Sequence, residues 1–380
     1  MPHRIPLVRI VTIAFVVAIT IAPIRAHAGR PPIVVPGDPS IIIERLPAGY
    51  AALAPTTAKE PPLLQIDRLL GASARTGDSR LAARAEALLA RFPSNDTNPD
   101  VLRARAYSQQ HRHQFDASLQ LLNRLVARYP RDGDALMSRA QVYLVEGEIG
   151  RARSDCAQLA FAVDASRGTL CAVSLSMRIG QLDTASNLLD RWLAQVVNGN
   201  ELRRYALVMR AEIASRAGVA DADTWFQHAL ALGLQDVRTL AAYARHLRAK
   251  GRYAEALRLL ADAPNSDSLQ LERALAAHFA HVPQAQALAN SLGQRYADAH
   301  AVGTVPELRE EAEYLLTLRG DAAGALTLAL KNFQTQRDVE DLSILRRAAI
   351  AAGHPEALQP MQAWAQLQQV PLEPLPVPGA

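Results

Sequence analysis

A chain of 380 residues with 49% apolar, 5% aromatic and 21% charged residues can build a large packed core and is too apolar to be intrinsically disordered. Its formal net charge is +4, but Arg4, Arg9 and Arg25 stand in the first 28 residues, where there is no acid, and the remainder carries only +1. Basic and acidic residues are mixed throughout that remainder. This excludes the usual nucleic-acid binder, whose affinity needs a concentrated Lys/Arg surface.

The chain opens with Arg4 and Arg9, an apolar run from Ile10 to Ile24, and Ala26-His27-Ala28. That is the layout of a secretory signal peptide over residues 1–28, with cleavage after Ala28. The apolar run is roughly 15 residues against the ~20 that span a bilayer. An uncleaved amino-terminal anchor is the alternative reading. Residues 29–62 follow as a proline-rich linker, with Pro31-Pro32, Pro36, Pro39, Pro47, Pro55 and Pro61-Pro62. Each proline removes a donor and biases its predecessor toward extended backbone, so no helix is expected there. Ile41-Ile42-Ile43 could add a short strand. A proline-rich tail, residues 369–380, closes the chain.

Between these ends, residues 63–368 are dense in Ala, Leu, Arg, Glu and Gln, and apolar residues recur at helical spacing, as in Leu240, Tyr243, Ala244 and Leu247. No sustained apolar/polar alternation predicts a sheet. Glycines recur at Gly147, Gly180, Gly218, Gly251, Gly320 and Gly353, with steps of 33, 38, 33, 69 and 33, the fourth spanning two units. Such a period near 34 is the signature of a helical-hairpin array, in which small side chains let helices approach and glycine permits the reversal. The only cysteines, Cys156 and Cys171, fall on the second helix of one pair and the first helix of the next. In an exported chain these can form a disulfide. Two separate buried thiols are the alternative.

The repeating unit resembles the tetratricopeptide repeat. The small first-helix position is matched by Ala106, Ala140, Val173, Ala211 and Ala244, and the turn glycine by Gly147, Gly180, Gly218 and Gly251, with His113 in its place one unit earlier. The first small position of the second helix is matched by Ser118, Ala152, Ala185, Ala256 and Ala325, and the closing proline by Pro93, Pro130 and Pro264. The Gly218 unit is lengthened, residues 265–305 match weakly, and the Gly320 and Gly353 units match in their turns more than in their first helices. The expected fold class is all-α: a right-handed α-solenoid of about eight tetratricopeptide-like hairpins. A generic alanine-rich bundle would share the periodicity but not the fixed period.

Sites of chemistry are sparse. There is no phosphate-binding glycine loop, no His-Glu-x-x-His pair and no Gly-x-Ser-x-Gly elbow. Gly77-Asp78-Ser79 resembles the nucleophile segment of some esterases but lacks the strand that should precede it, and reads as a helix start capped by Asp78 or Ser79. His111 with His113, and His278 with His281, are the histidine pairs nearest metal-ligand spacing; neither has a cysteine or dense acid cluster nearby. Glu307, Glu310, Glu311 and Glu313 follow Pro306, where negative charge suits a helix amino terminus. No enzyme activity, cofactor or metal is expected.

The resemblance implies a protein or peptide partner held on a concave face lined by first helices. In that register the face includes Arg103, Tyr107, Gln141, Arg178, Arg216, Arg238, Arg245 and Arg248. Its arginines would suit acidic side chains or a carboxyl terminus, because guanidinium pairs carboxylate bidentately. The reading is a periplasmic or secreted, non-catalytic scaffold, with no nucleic acid and no stable membrane insertion after cleavage. An accessory of envelope polysaccharide or surface-polymer export is the alternative, against which the low aromatic content counts.

Overall fold

The computed structural model describes residues 60–196, 200–233, 236–301, 303 and 307–372. The signal peptide, all but the last residues of the proline-rich linker with Ile41-Ile42-Ile43, Pro306, and the tail from residue 373 lie outside the described residues. Among the described residues every element is helical and no strand occurs.

The helices follow one another as packed hairpins. The first four are α1 (Pro62–Thr76) with α2 (Ser79–Leu89), α3 (Pro99–His111) with α4 (Phe115–Arg128), α5 (Gly133–Glu146) with α6 (Ile149–Ala162), and α7 (Ala165–Arg178) with α8 (Leu182–Gln195). Then come α9 (Asn200–Ala217) with α10 (Ala222–Ala231), α11 (Val237–Ala249) with α12 (Tyr253–Leu259), and α13 (Asp267–Phe279) with α14 (Ala285–Ala301). In the eighth, α15 (Leu308–Glu313) runs into a π-helical turn (Tyr314–Arg319) and pairs with α16 (Ala322–Phe333). A ninth first helix, α17 (Val339–Ala351), is followed by a 3-10 turn (Pro355–Leu358) and α18 (Gln359–Gln368).

The repeat chemistry accounts for this regularity. First helices begin at short acidic caps: Asp132, Asp164 and Asp236 accept from the backbone N–H of Ala135, Arg167 and Thr239 at 3.0, 3.0 and 2.9 Å. Asp78 caps α2 in the same way, accepting from Arg80 N–H at 3.0 Å, so the Gly77-Asp78-Ser79 segment is a helix start. At the reversals, Glu148, Gln181 and Arg252 each donate a backbone N–H to the carbonyl five residues earlier, all at 2.8 Å. This closure needs one residue in the left-handed region, and Gly147, Gly180 and Gly251 supply it with φ of 76°, 73° and 70°. The small positions are the contact points between helices. Ala140, Ala152, Ala185, Ala211, Ala256 and Ala325 are all fully buried.

The irregular units also have local causes. In the Gly218 unit α9 runs for 18 residues where α5 and α7 have 14. In the eighth hairpin the π-helical turn inserts one residue, and the closing bond runs from Asp321 N–H to the carbonyl of Leu315, six residues back. Residues 265–305, a weak match by sequence, still hold a regular hairpin, whose turn residue His281 has φ 51°.

Cys156 of α6 and Cys171 of α7 are joined by a disulfide, with Cα atoms 5.3 Å apart and both residues buried. The bridge ties two successive hairpins across a separation of 15 residues. Replacing both cysteines by serine is expected to lower stability by about 3 kcal/mol, the loop-closure contribution for that length, read as a lower midpoint in urea unfolding.

Hairpins six apart in sequence also meet, turn edge against first-helix start. Gly77, in the first reversal, lies so near Ser266 that an added Cβ would stand 2.6 Å from the Ser266 Cβ. His113, in the second, reaches Glu307 at the start of α15, with Nε2 and Oε1 2.6 Å apart. In the third, the carbonyls of Val145 and Glu146 accept from the backbone N–H (2.8 Å) and guanidinium of Arg337, just before α17. Trp364 Nε1 donates to the Gly147 carbonyl at 3.2 Å, and Ile149 N–H donates to Gln368 Oε1 at 3.2 Å. Gly180, in the fourth, meets Pro371, and Val370 is buried in the core of hairpins two to four. The array therefore closes on itself within residues 60–372.

Candidate interaction groove

The first helices face inward, and their inner surface falls into two parts. On hairpins one to three an open groove of about 550 Å³ is lined by Leu63, Leu70, Asp67, Asp100, Asp134 and Tyr107, among others. Further along, a smaller cavity of about 200 Å³, also open to solvent, lies between α9, α11 and α13 on one side and α15 and α17 on the other.

Of the eight residues expected on one face, five are divided between these regions and Arg178, Arg238 and Gln141 line neither. Arg103 and Tyr107 line the open groove, where Arg103 pairs with Asp100 and Asp132. Arg216, Arg245 and Arg248 line the smaller cavity. Arg178 pairs with Asp338 and donates to the Arg337 carbonyl at 3.1 Å. Arg238 faces Glu212 at 3.5 Å and stacks over the Tyr205 ring, 4.8 Å from its centre, while keeping 51% of its side chain accessible. Gln141 is half-buried and lines neither region; its amide lies 3.9 Å from the Met137 sulfur.

Acids of the same chain meet these arginines. Glu272 of α13 lies 3.1 Å from Arg248 and 4.0 Å from Arg245. Arg347 of α17 holds Glu313 bidentately at 2.5 and 2.9 Å, with Thr317 on the π-helical turn donating to the same carboxylate at 2.7 Å. Burial pushes Glu313 up, but the hydrogen bonds of Arg347 and Thr317 and the charges of Arg347 and Arg248 together outweigh it, and it stays ionised. Glu310, buried and with Arg309 no nearer than 3.8 Å, is pushed up to about 7 by desolvation. Glu340 is held below the ordinary carboxylate range because Arg245 and Arg309 outweigh its desolvation.

Sequence periodicity found the basic half of this arrangement and missed the acidic half. Glu307, Glu310 and Glu313 were expected only to favour a helix amino terminus, yet the array turns them toward His113 and the cavity. The available signal was the contrast within one chain between an arginine-rich stretch over α9 to α11 and an acid-rich stretch from Glu307 to Asp341.

Among the described residues no cluster of three or more His, Cys, Asp or Glu side chains could hold a metal ion, and no helix is long and apolar enough to cross a membrane. His113 and His281 instead occupy the positive-φ position of their turns.

Hairpins of this length, closure and small-residue packing define an α-solenoid of tetratricopeptide-like repeats. No protein-family model and no curated protein matches the chain. Among solved structures it is similar to a tetratricopeptide repeat protein from Parabacteroides merdae, at 15% identity and a TM-score of 0.35, covering 76% of this chain and 98% of that one. It is also similar to yeast Tom70, at 13% identity and a TM-score of 0.46, covering 83% of this chain and 69% of that one.

Proposed function

We propose that the chain is a non-catalytic protein-interaction scaffold of the bacterial cell envelope, exported by its amino-terminal signal, that holds an extended segment of a partner against α1, α3 and α5. The observation that carries this reading is the open groove on those three helices, with apolar Leu63 and Leu70, the half-buried Tyr107 and the exposed Asp67, Asp100 and Asp134.

The charge of the partner follows from how deeply the existing pairs are buried. An acidic segment at Arg178, Arg245 or Arg248 would have to displace Asp338 or Glu272, the latter 6% accessible. Asp67, Asp100 and Asp134 sit one per first helix; Asp100 pairs with Arg103 and Asp134 with Arg167, but both acids keep 58% of their side chains accessible, and such exposed pairs exchange at little cost. Neighbouring helix axes lie about 10 Å apart, and a polyproline-II chain rises about 3.1 Å per residue and returns the same face every third residue, so basic residues at that spacing would meet them. The partner is then an extended segment with that basic spacing.

Fluorescence polarisation with extended peptides of equal length, basic at every third position, neutral, or acidic, tests the reading. The basic peptide is expected to bind, to weaken with salt, and to lose about tenfold in affinity to the Asp67→Asn/Asp134→Asn protein. Binding of the acidic peptide alone would restore the arginine face as the site. Failure of all three peptides, with no protein crosslinked to the groove in the native envelope, would overturn the scaffold reading.

A further inference from the structure

Two reversals carry histidine where the others have a left-handed glycine. His113 (φ 54°) and His281 (φ 51°) share a backbone conformation that side chains with a Cβ adopt reluctantly. Their surroundings differ. His281 is exposed in its own turn, whereas the His113 imidazole bridges to Glu307, a residue 194 positions away in sequence. It does so where the second hairpin meets the eighth. A glycine would relieve the backbone but could not make this bond.

We propose that the His113–Glu307 contact makes the seam between hairpins two and eight pH-sensitive, clamped in mild acid and loosened as the imidazole loses its proton. The charged groups around the ring are few. On its own hairpin these are His111 and Arg112, the latter 3.5 Å from Glu86 of α2; on the opposing hairpins they are Glu307, Arg309 and Asp341. Phe115 packs edge-on, with ring centres 5.5 Å apart.

Burial of the ring works against charging, and Nδ1 has no hydrogen-bond partner. The hydrogen bond and charge of Glu307 together outweigh burial and Arg309, and the pKa lies above the ordinary imidazole value. A raised histidine pKa stabilises the closed seam fully below the unfolded value and loses that contribution as pH rises through the folded one. Glu307, depressed by the same contact against its own desolvation, stays ionised throughout that window. Glu310, pushed up to about 7 by burial, acts with the same sign but mostly below that value, on the acid side of the histidine window.

The test is hydrogen exchange of amides in segments 109–116 and 307–313, from about pH 5.5 to about pH 8.5 after correction for intrinsic exchange, with urea unfolding alongside. Four proteins are compared: the unaltered chain, His113→Gly, Glu307→Gln and His281→Gly. Protection in the unaltered chain is expected to fall severalfold across the window. His113→Gly should be less protected than the unaltered chain at the acid end and equally or better protected at the alkaline end. Glu307→Gln should flatten the profile while leaving the turn backbone untouched. His281→Gly, which relieves the same backbone without a seam contact, should shift urea stability equally at both ends. An equal shift by His113→Gly at both pH values, or an unchanged profile in Glu307→Gln, would overturn the proposal.

Discussion

Gly168→Ala is expected to be among the most damaging single-methyl additions in the protein, lowering stability by about 3 kcal/mol. Gly168 lies on the face of α7 that crosses α6, and an added Cβ would stand 2.3 Å from the Ala160 Cα, 2.4 Å from its Cβ and 2.5 Å from its N. Two of these three atoms are backbone, so no side-chain rotation relieves the clash. The helices cannot easily separate either, because Cys156 and Cys171 bond the same two elements one turn away. The two features are therefore coupled: in the Cys156→Ser/Cys171→Ser background, α6 and α7 can part and the cost of the extra methyl should shrink. A double-mutant cycle in urea measures this coupling. A Gly168→Ala protein within about 0.5 kcal/mol of the unaltered one would show that the α6–α7 crossing is looser than the structure has it.

The second large effect is expected on removing Glu272. Its side chain is 6% accessible and that of Arg248 5%, with Nε and Oε2 3.1 Å apart. Arg248 Nη1 is already buried without a hydrogen-bond partner. Truncation to Glu272→Ala leaves this guanidinium desolvated and uncompensated, a situation that costs about 3–5 kcal/mol. Glu313 is the other acid near Arg248, but it is committed to Arg347. Replacing both partners by apolar residues, as in Arg248→Met/Glu272→Leu, should recover most of the loss, because it removes the buried charge together with its partner. If the double variant is as unstable as Glu272→Ala in urea unfolding, the cost lies in packing and not in the stranded charge.

The hairpin architecture was legible in the chain because its causes are local. A residue with positive φ at the reversal, a small side chain where helices cross and an aspartate before a first helix act over a few residues, and they recur at a fixed step. Ala140, Ala152, Ala185 and Ala256, picked out by their match to the small positions of the repeat that the chain resembles, are fully buried. The places where the pattern blurred have equally local explanations, the long α9 and the π-helical turn after α15, each of which shifts the register. A pattern search at fixed period misreads such insertions as loss of the repeat.

The sequence by itself determined that the chain forms helical hairpins and which small residues lie between them. Only the tertiary structure decided what the arginines of the first helices meet. A small angular step between neighbouring hairpins, summed over five or six of them, brings Arg178 to Asp338 and His113 to Glu307, and no local rule sets that sum. Glu307, which read as a helix-terminal charge, became the partner of His113, 194 positions away in sequence.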